Sequence, residues 1–364
     1  MNPSASHPSP LRSVAVVGAG VMGAGIAQLC LQKGIKVSLY DASPEASCGA
    51  AGRIKKGIEE AAARGKIASG DIARILGSVS YVKSLSELSS ADLIIEAVAE
   101  DLAAKKSLFE RLGRIAPGAI LATNTSSLSV AAIAEGAAAP ERVLGLHFFN
   151  PPVATKLVEI VRAPKTSADA FKAARDFVAS LGKIPIQAKD KPGFIVNRVM
   201  RPYYLACQRL VSKRCPPALL DHAARKTGGV PMGPFELMDL IGLDVNLAIT
   251  KVIYDSLGRP ERLKPQPLQE TLVARGHWGR KTGKGFYLYA DGKIAGENPE
   301  ALSHLSELGP PPEEAWDKTI GAVLLEAQLA HDTGIASRED IDTAIKLAMN
   351  FPRGPFEWRQ RAAR

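Results

Sequence analysis

The sequence predicts an α/β protein whose first half is a doubly wound sheet and whose second half is an all-α domain carrying a shortened internal repeat. Three observations carry that expectation. An apolar strand ends in a glycine-rich turn at Gly18 and opens a helix. Apolar strands then alternate with amphipathic helices to about residue 190. Beyond that point strand character is lost, and one proline- and glycine-marked helical motif occurs twice.

The first strand, Val14 to Val17, is followed by Gly18, Gly20 and Gly23 in the spacing GxGxxG, with Val21 and Met22 opening the helix. Glycines there permit a tight turn, close backbone approach to a phosphate and close packing of helix on strand. The first helical turn offers N–H groups and a partial positive charge to a pyrophosphate, so the unit reads as Rossmann-like. The helix stops at Lys33-Gly34, and a second strand, Lys36 to Tyr40, ends in Asp41. An acidic side chain about 20 residues past the glycines grips a ribose 2′-hydroxyl and repels a 2′-phosphate, so NAD is expected rather than NADP. The bland reading of Asp41 is a cap on the next helix.

Two helical segments follow, Glu45 to about Arg64 and Asp71 to Leu76, with Ser69 as the expected cap of the second. They read as a projecting hairpin. Arg53, Lys55, Lys56, Arg64 and Lys66 either meet a phosphorylated ligand at the rim or form a solvated charged face. Strands are then expected at Ser78–Val82, Asp92–Val98 and Ala119–Asn124, with a helix from Asp101 to Ile115. Ligands of such sheets sit beyond the strand C-termini. That directs attention to Ala97 through Glu100 and to Asn124 through Ser127.

A further strand, Val143 to Asn150, turns at Pro151-Pro152 and returns as Lys156 to Val161. His147 and Glu159 lie equally far from Val153, so an antiparallel return brings them together. Glu159 is in phase with Leu157 and Val161, which aims a carboxylate into packed interior, where it needs a partner. A lone His at a strand end is usually structural. One oriented by a buried Glu at the ligand-bearing edge has the makings of a base with its orienter. Helix Ser167–Leu181 and strand Ile184–Ala188 complete the first domain, and Lys191-Pro192-Gly193 marks its end. The next helix, Phe194 to about Lys213, carries Asn197 in its opening turn, where the amide either caps the helix or reaches the ligand cleft.

Length and composition fit this plan. The 364 residues suffice for two or three cores, and 46% hydrophobic against 23% charged excludes wholesale disorder. The net charge of +9 comes from scattered Lys and Arg with few aromatics, which suits an acidic small ligand better than nucleic acid. The four cysteines form neither CxxC pair nor disulfide framework, pointing to a reducing compartment, the cytoplasm, and to no structural metal. No stretch is apolar enough for a membrane span, and residues 1–11 read as a flexible leader. The expected boundaries are thus 1–191 for the nucleotide-binding domain, 192–290 for the helical domain and 291–364 for the partial repeat, joined through a polar segment, Asp291 to Glu314. In that repeat Asp221, Gly233 and Glu236 recur as Asp342, Gly354 and Glu357, each 121 positions on.

Taken together, residues 12 to 290 resemble the L-3-hydroxyacyl-CoA dehydrogenase family. The likeness rests on GAGVMGAGIA, Asp41, Glu96 to Glu100, Asn124 to Ser129, His147 to Pro151, Lys156 to Glu159, Pro192 to Arg198 and Gly279 to Tyr287, in that order. The resemblance implies NAD-dependent oxidation of a 3-hydroxyacyl-CoA in fatty acid metabolism, with His147 as base, Glu159 as its partner and Ser126 and Asn197 on the substrate oxygen. It places Glu100, Lys105, Asn124 and Ser126 near the cofactor with the glycine loop, Ala97 and Asp41, and puts Asn150 and Lys66 toward the acyl-CoA. Relatives carry a polar residue where this chain has Ala61. They also dimerise through the helical domain, a contact the second copy is expected to alter. Two alternatives remain: a dehydrogenase of a carrier-bound hydroxyacyl group or a sugar acid, and a non-catalytic nucleotide-binding protein.

Overall fold

A computed structural model describes residues 11–211, 215–302 and 312–362. All but the last residue of the expected leader, the expected end of the Asn197 helix at Lys213 and part of the joining segment lie outside these. The chain divides into two compact units after Asp190.

In the first unit, β1 (Ser13–Val17), α1 (Val21–Gln32), β2 (Lys36–Tyr40) and α2 (Pro44–Ala63) follow in order, then α3 (Ile72–Leu76) and β3 (Val79–Val82). Next come β4 (Leu93–Glu96), α4 (Leu102–Ile115), β5 (Ile120–Thr123), α5 (Val130–Ala134), β6 (Val143–Phe148), β7 (Leu157–Arg162), α6 (Ala168–Ser180) and β8 (Ile184–Lys189). They build one sheet in the order β3-β2-β1-β4-β5-β6-β7-β8. The first six strands are parallel, β7 runs antiparallel to β6, and β8 is parallel to β7. β4, β5 and β6 are buried along their whole length, as strands covered on both faces must be.

Strand alternation sorts the sheet into two faces. Val14, Val16, Leu144, Leu146 and Phe148 belong to one core with α1, α2 and α6. Val17, Glu96, Thr123, His147 and Glu159 are in the opposite phase, so the polar interior groups share the other face. Ser43 caps α2 by accepting from Ala46 N, and Asp101 caps α4 by accepting from Ala104 N. Ser69 is not the cap expected for α3. It begins a short 3-10 turn, Ser69–Asp71, that feeds directly into that helix.

The second unit contains α7 (Val196–Val199), α8 (Arg201–Val211), α9 (Pro217–Ala223), α10 (Pro234–Ile241), α11 (Leu243–Ser256) and α12 (Pro267–Ala274). After these come β9 (Tyr287–Ala290), β10 (Lys293–Glu297), α13 (Pro299–Leu302), α14 (Pro312–Asp332), α15 (Arg338–Met349) and α16 (Pro355–Ala362). Two expectations are corrected here. The helix drawn from Phe194 to Lys213 starts later and is broken in two: Phe194, at φ 47° after Gly193 at 77°, lies outside α7, and Pro202, which has no N–H to donate, sits in the first turn of α8. The unit is also not all-α, because β9 and β10 form an antiparallel hairpin. Its turn is Asp291-Gly292, both at positive φ, the Asp-Gly pair that two-residue hairpins favour.

The repeat is structural as well as sequential. Asp221 accepts from the N–H groups of Phe235 and Glu236 at 2.9 and 3.0 Å, and Asp342 accepts from Phe356 N at 2.8 Å. A Cβ on Gly233 or on Gly354 would collide with the corresponding aspartate. Arg225 pairs with Glu236, and Lys346, 121 positions on, pairs with Glu357. Helix α14 lies along α8 and α9, with Trp316 packed on Gly228 and edge-on to Trp358.

Candidate active site

The glycine turn is held from three sides. Gly18 has φ 104°, with its α-carbon so close to the Ala97 carbonyl that a Cβ would clash there. A Cβ on Gly23 would collide with the Gly18 carbonyl oxygen, whereas one on Gly20 meets nothing within 4 Å. The α1 N-terminus starts at Gly20 with no side-chain cap, leaving its first-turn N–H groups for a ligand. Asp41 braces the turn: Oδ2 accepts from Ala19 N at 2.6 Å, and Oδ1 accepts from Ser43 N at 2.9 Å. Asp41 is not the cap of α2, which is Ser43; it instead holds the N–H of that capping residue. A carboxylate has about four acceptor sites, so two backbone bonds leave capacity for a hydroxyl.

A cavity of about 450 Å³ opens between Gly18, Gly20, Asp41 and Ala97, with Leu85 and Arg111 on its far wall. Val21 is 63% exposed beside the turn, and Met22 is half-buried. The room, the uncapped helix start and the acid at the second strand end all fit a dinucleotide. Sequence reading missed Arg111, which lies on the amphipathic α4 and carries no motif of its own. It noticed Arg53 only as one of several surface cations. Arg53 in fact reaches across from α2 to donate to Ala19 O at 2.6 Å.

Beyond β4 and β5 lies a network centred on two glutamates. Glu96 is fully buried, accepts from Thr123 Oγ1 at 2.7 Å and Val98 N at 2.7 Å, and pairs with Lys105. Lys105 is 1% exposed and also lies 3.4 Å from Glu100, so it acts from beneath the loop. Glu100 accepts from Thr125 Oγ1 at 2.6 Å, Ser126 N at 3.0 Å and Ser127 Oγ at 3.0 Å. Burial alone would raise its carboxyl, but these bonds and the Lys105 charge hold it below the usual range. Asn124 accepts from Phe148 N at 2.9 Å through Oδ1, which ties the end of β5 to the end of β6.

His147 and Glu159 face each other in register across β6 and β7, with Nδ1 and Oε2 2.6 Å apart. Glu159 is fully buried and His147 is 5% exposed. The imidazole also lies against Phe149, with ring centroids 4.3 Å apart. Asn150 is exposed where the strand ends, at a cis peptide to Pro151. Lys66 is exposed after α2, while Ala61 is buried in that helix. Lys183 donates to Thr155 O at 2.8 Å and is pushed down to about 8 by burial and by the charges of Lys33 and Lys66. Asn197, in the second unit, is half-buried on α7.

Comparison with known proteins identifies the family. The family model described as 3-hydroxyacyl-CoA dehydrogenase, NAD binding domain, matches residues 13–191, and the model of the C-terminal domain matches residues 193–289 and 316–363. The chain is 34% identical to 3-hydroxyadipyl-CoA dehydrogenase of Escherichia coli (strain K12), over 96% of this chain and 90% of that one. It is 39% identical to the mitochondrial hydroxyacyl-coenzyme A dehydrogenase of Homo sapiens, over 77% of this chain and 91% of the other. Among solved structures, 3-hydroxybutyryl-CoA dehydrogenase from Escherichia coli K12 superposes with a TM-score of 0.88 at 33% identity, covering 97% of this chain and 92% of that one. A braced glycine turn, an acid at the second strand end, a His–Glu pair across the sixth and seventh strands and matches along nearly the whole length converge on one conclusion: the chain belongs to the 3-hydroxyacyl-CoA dehydrogenase family.

Proposed function

We propose that this chain oxidises 3-hydroxyacyl-CoA with His147 as general base and Glu159 as the group that orients and charges it. The overall reaction, NAD-dependent and reversible, is that of its family. The observation that carries the assignment of residues is the 2.6 Å contact between two buried groups. With Nδ1 committed to Glu159, the alcohol proton is exchanged at Nε2, and the carboxylate stabilises the imidazolium that results. The glycine turn and Asp41 would hold NAD, which would supply the hydride acceptor for the carbinol carbon. Ser126 and Asn197 hydrogen-bond the oxygen as its charge changes, and in the reverse direction the imidazolium polarises the ketone.

The cofactor is assigned to Gly18, Gly20, Val21, Met22, Gly23, Asp41 and Ala97, with Asn124, Ser126 and Glu100 toward the nicotinamide end. Lys105 serves there by fixing Glu100. Lys66 is assigned to the CoA phosphates, a reading supported by the positive charges of Lys33 and Lys183 nearby. Asn150 is assigned to the acyl-CoA side of the imidazole.

The experiment is NADH oxidation by the purified chain with acetoacetyl-CoA, compared with the same acyl group on pantetheine and on a carrier protein. Turnover with the CoA ester and poor turnover with the others supports the reading, and the reverse preference overturns it. Because the E. coli relative is named for a hydroxyadipyl substrate, the panel includes a 3-hydroxyacyl-CoA with a terminal carboxylate beside 3-hydroxybutyryl-CoA. Residues 291–364 are read as a shortened second helical domain that covers apolar surface within one chain and so alters a homodimer contact. Light scattering of the full chain against one ending at Tyr289 tests this, and the same number of subunits in both counts against it. No described helix is long and apolar enough to cross a membrane, and four free cysteines fit the cytoplasm.

A further inference from the structure

The carboxylate of Glu326, on α14 of the second copy, is fully buried and lies between two guanidinium groups of the first copy. Its Oε1 is 2.6 Å from Arg198 Nε, and its Oε2 is 2.7 Å from Arg262 Nε. Arg198 is 5% exposed. It is the residue after Asn197, on a helix only four residues long.

Such a helix has little rigidity of its own. Isolated helices below about 12 residues are marginal in water, and α7 begins without a side-chain cap just after a residue at φ 47°. Its orientation must come from what grips it. One grip comes from the first copy: Arg201 Nε donates to Asn197 O at 3.4 Å, and its guanidinium is anchored on Asn246 O and Thr250 Oγ1, both at 3.1 Å. Another is the Arg198–Glu326 pair. Adjacent residues on a helix point about 100° apart, so a guanidinium fixed in the interior fixes the direction of the neighbouring amide. Buried ion pairs contribute little net stability but impose geometry strictly, because a buried charge that loses its partner is costly.

We infer that Glu326 is a positioning residue for Asn197, so the shortened second copy sets the direction of that amide by gripping Arg198. The inference rests on the reading that Asn197 addresses the substrate oxygen. It gives residues 312–362 a catalytic consequence that covering apolar surface alone would not.

The test uses the full chain with three substitutions, E326Q, E326D and R262Q, assayed with acetoacetyl-CoA and NADH. E326Q is expected to lower kcat at least 10-fold with the KM for NADH unchanged. E326D, which keeps the charge but draws it back, is expected to fall between E326Q and wild type. R262Q removes the outer partner while leaving Arg198 paired, and its kcat is expected to stay within about twofold even where its melting temperature drops. Wild-type kcat in folded E326Q overturns the inference, as does a loss in R262Q equal to that in E326Q, because a purely structural network moves both alike. If E326Q fails to fold, E326D against R262Q decides by the same criterion. A wild-type chain inactive on the CoA ester would sink the proposed function itself, whereas an active chain indifferent to residue 326 sinks this inference alone.

Discussion

His147 and Glu159 are paired residues of neighbouring antiparallel strands, and their side chains meet at 2.6 Å on the face of the sheet away from α1. Both residues lie within strands, so the geometry of the pair is set by the β6–β7 register. A one-residue slip would send Glu159 to the other face. The pair is therefore as rigid as the sheet that carries it.

Replacing His147 with Ala should lower turnover by about 10² to 10⁴, the range for loss of a general base, while NADH affinity stays nearly unchanged. Glu159→Gln, which keeps the shape and removes the charge, should cost about 10² or more by the same logic. Steady-state kinetics beside a fluorescence titration of NADH check both. Full turnover in either variant would remove the pair from the mechanism.

Asp41→Ala should raise the KM for NADH and weaken discrimination against NADPH, because the carboxylate both braces Ala19 and repels a 2′-phosphate. The ratio of kcat/KM for the two cofactors measures this. An unchanged ratio would mean that Asp41 serves only the backbone.

The glycines of the turn should separate by experiment. Gly23→Ala puts a methyl group into the Gly18 carbonyl and should destabilise the unit, whereas Gly20→Ala meets no protein atom and should leave the melting temperature within a few degrees. Gly20→Ala should still weaken NADH binding, since the added methyl occupies space needed for close phosphate approach. Melting curves with and without NADH distinguish stability from binding.

Burial pushes the Asp221 carboxyl up from 3.8 to about 7, against the hydrogen bonds from Tyr287, Phe235 and Glu236. An acid whose folded value is raised holds its proton in the native state after the unfolded chain has released it. Its contribution is therefore present below about pH 4 and is lost as pH rises toward 7. Melting of the wild type should fall across that window relative to Asp221→Asn, whose own stability is lower throughout but flatter with pH. Parallel pH profiles would contradict the assignment.

The order of motifs, the parallel strands and the recurrence of Asp221 as Asp342 are legible in the chain because they rest on local signals: glycine spacing, apolar runs and fixed offsets. Even the contact between His147 and Glu159 follows from counting residues about a turn. The sequence did not reveal Arg111 on the cavity wall, Arg53 on the Ala19 carbonyl, the β9–β10 hairpin or the grip of Glu326 on Arg198. Three of these four depend on which helix faces which loop or helix. A charged residue on an amphipathic helix looks the same in sequence whether it is solvated or paired with a partner 128 positions away. Local chemistry determined the glycine turn, the acid at the second strand end and the meeting of His147 with Glu159, and packing alone decided which charges were drawn inside around them.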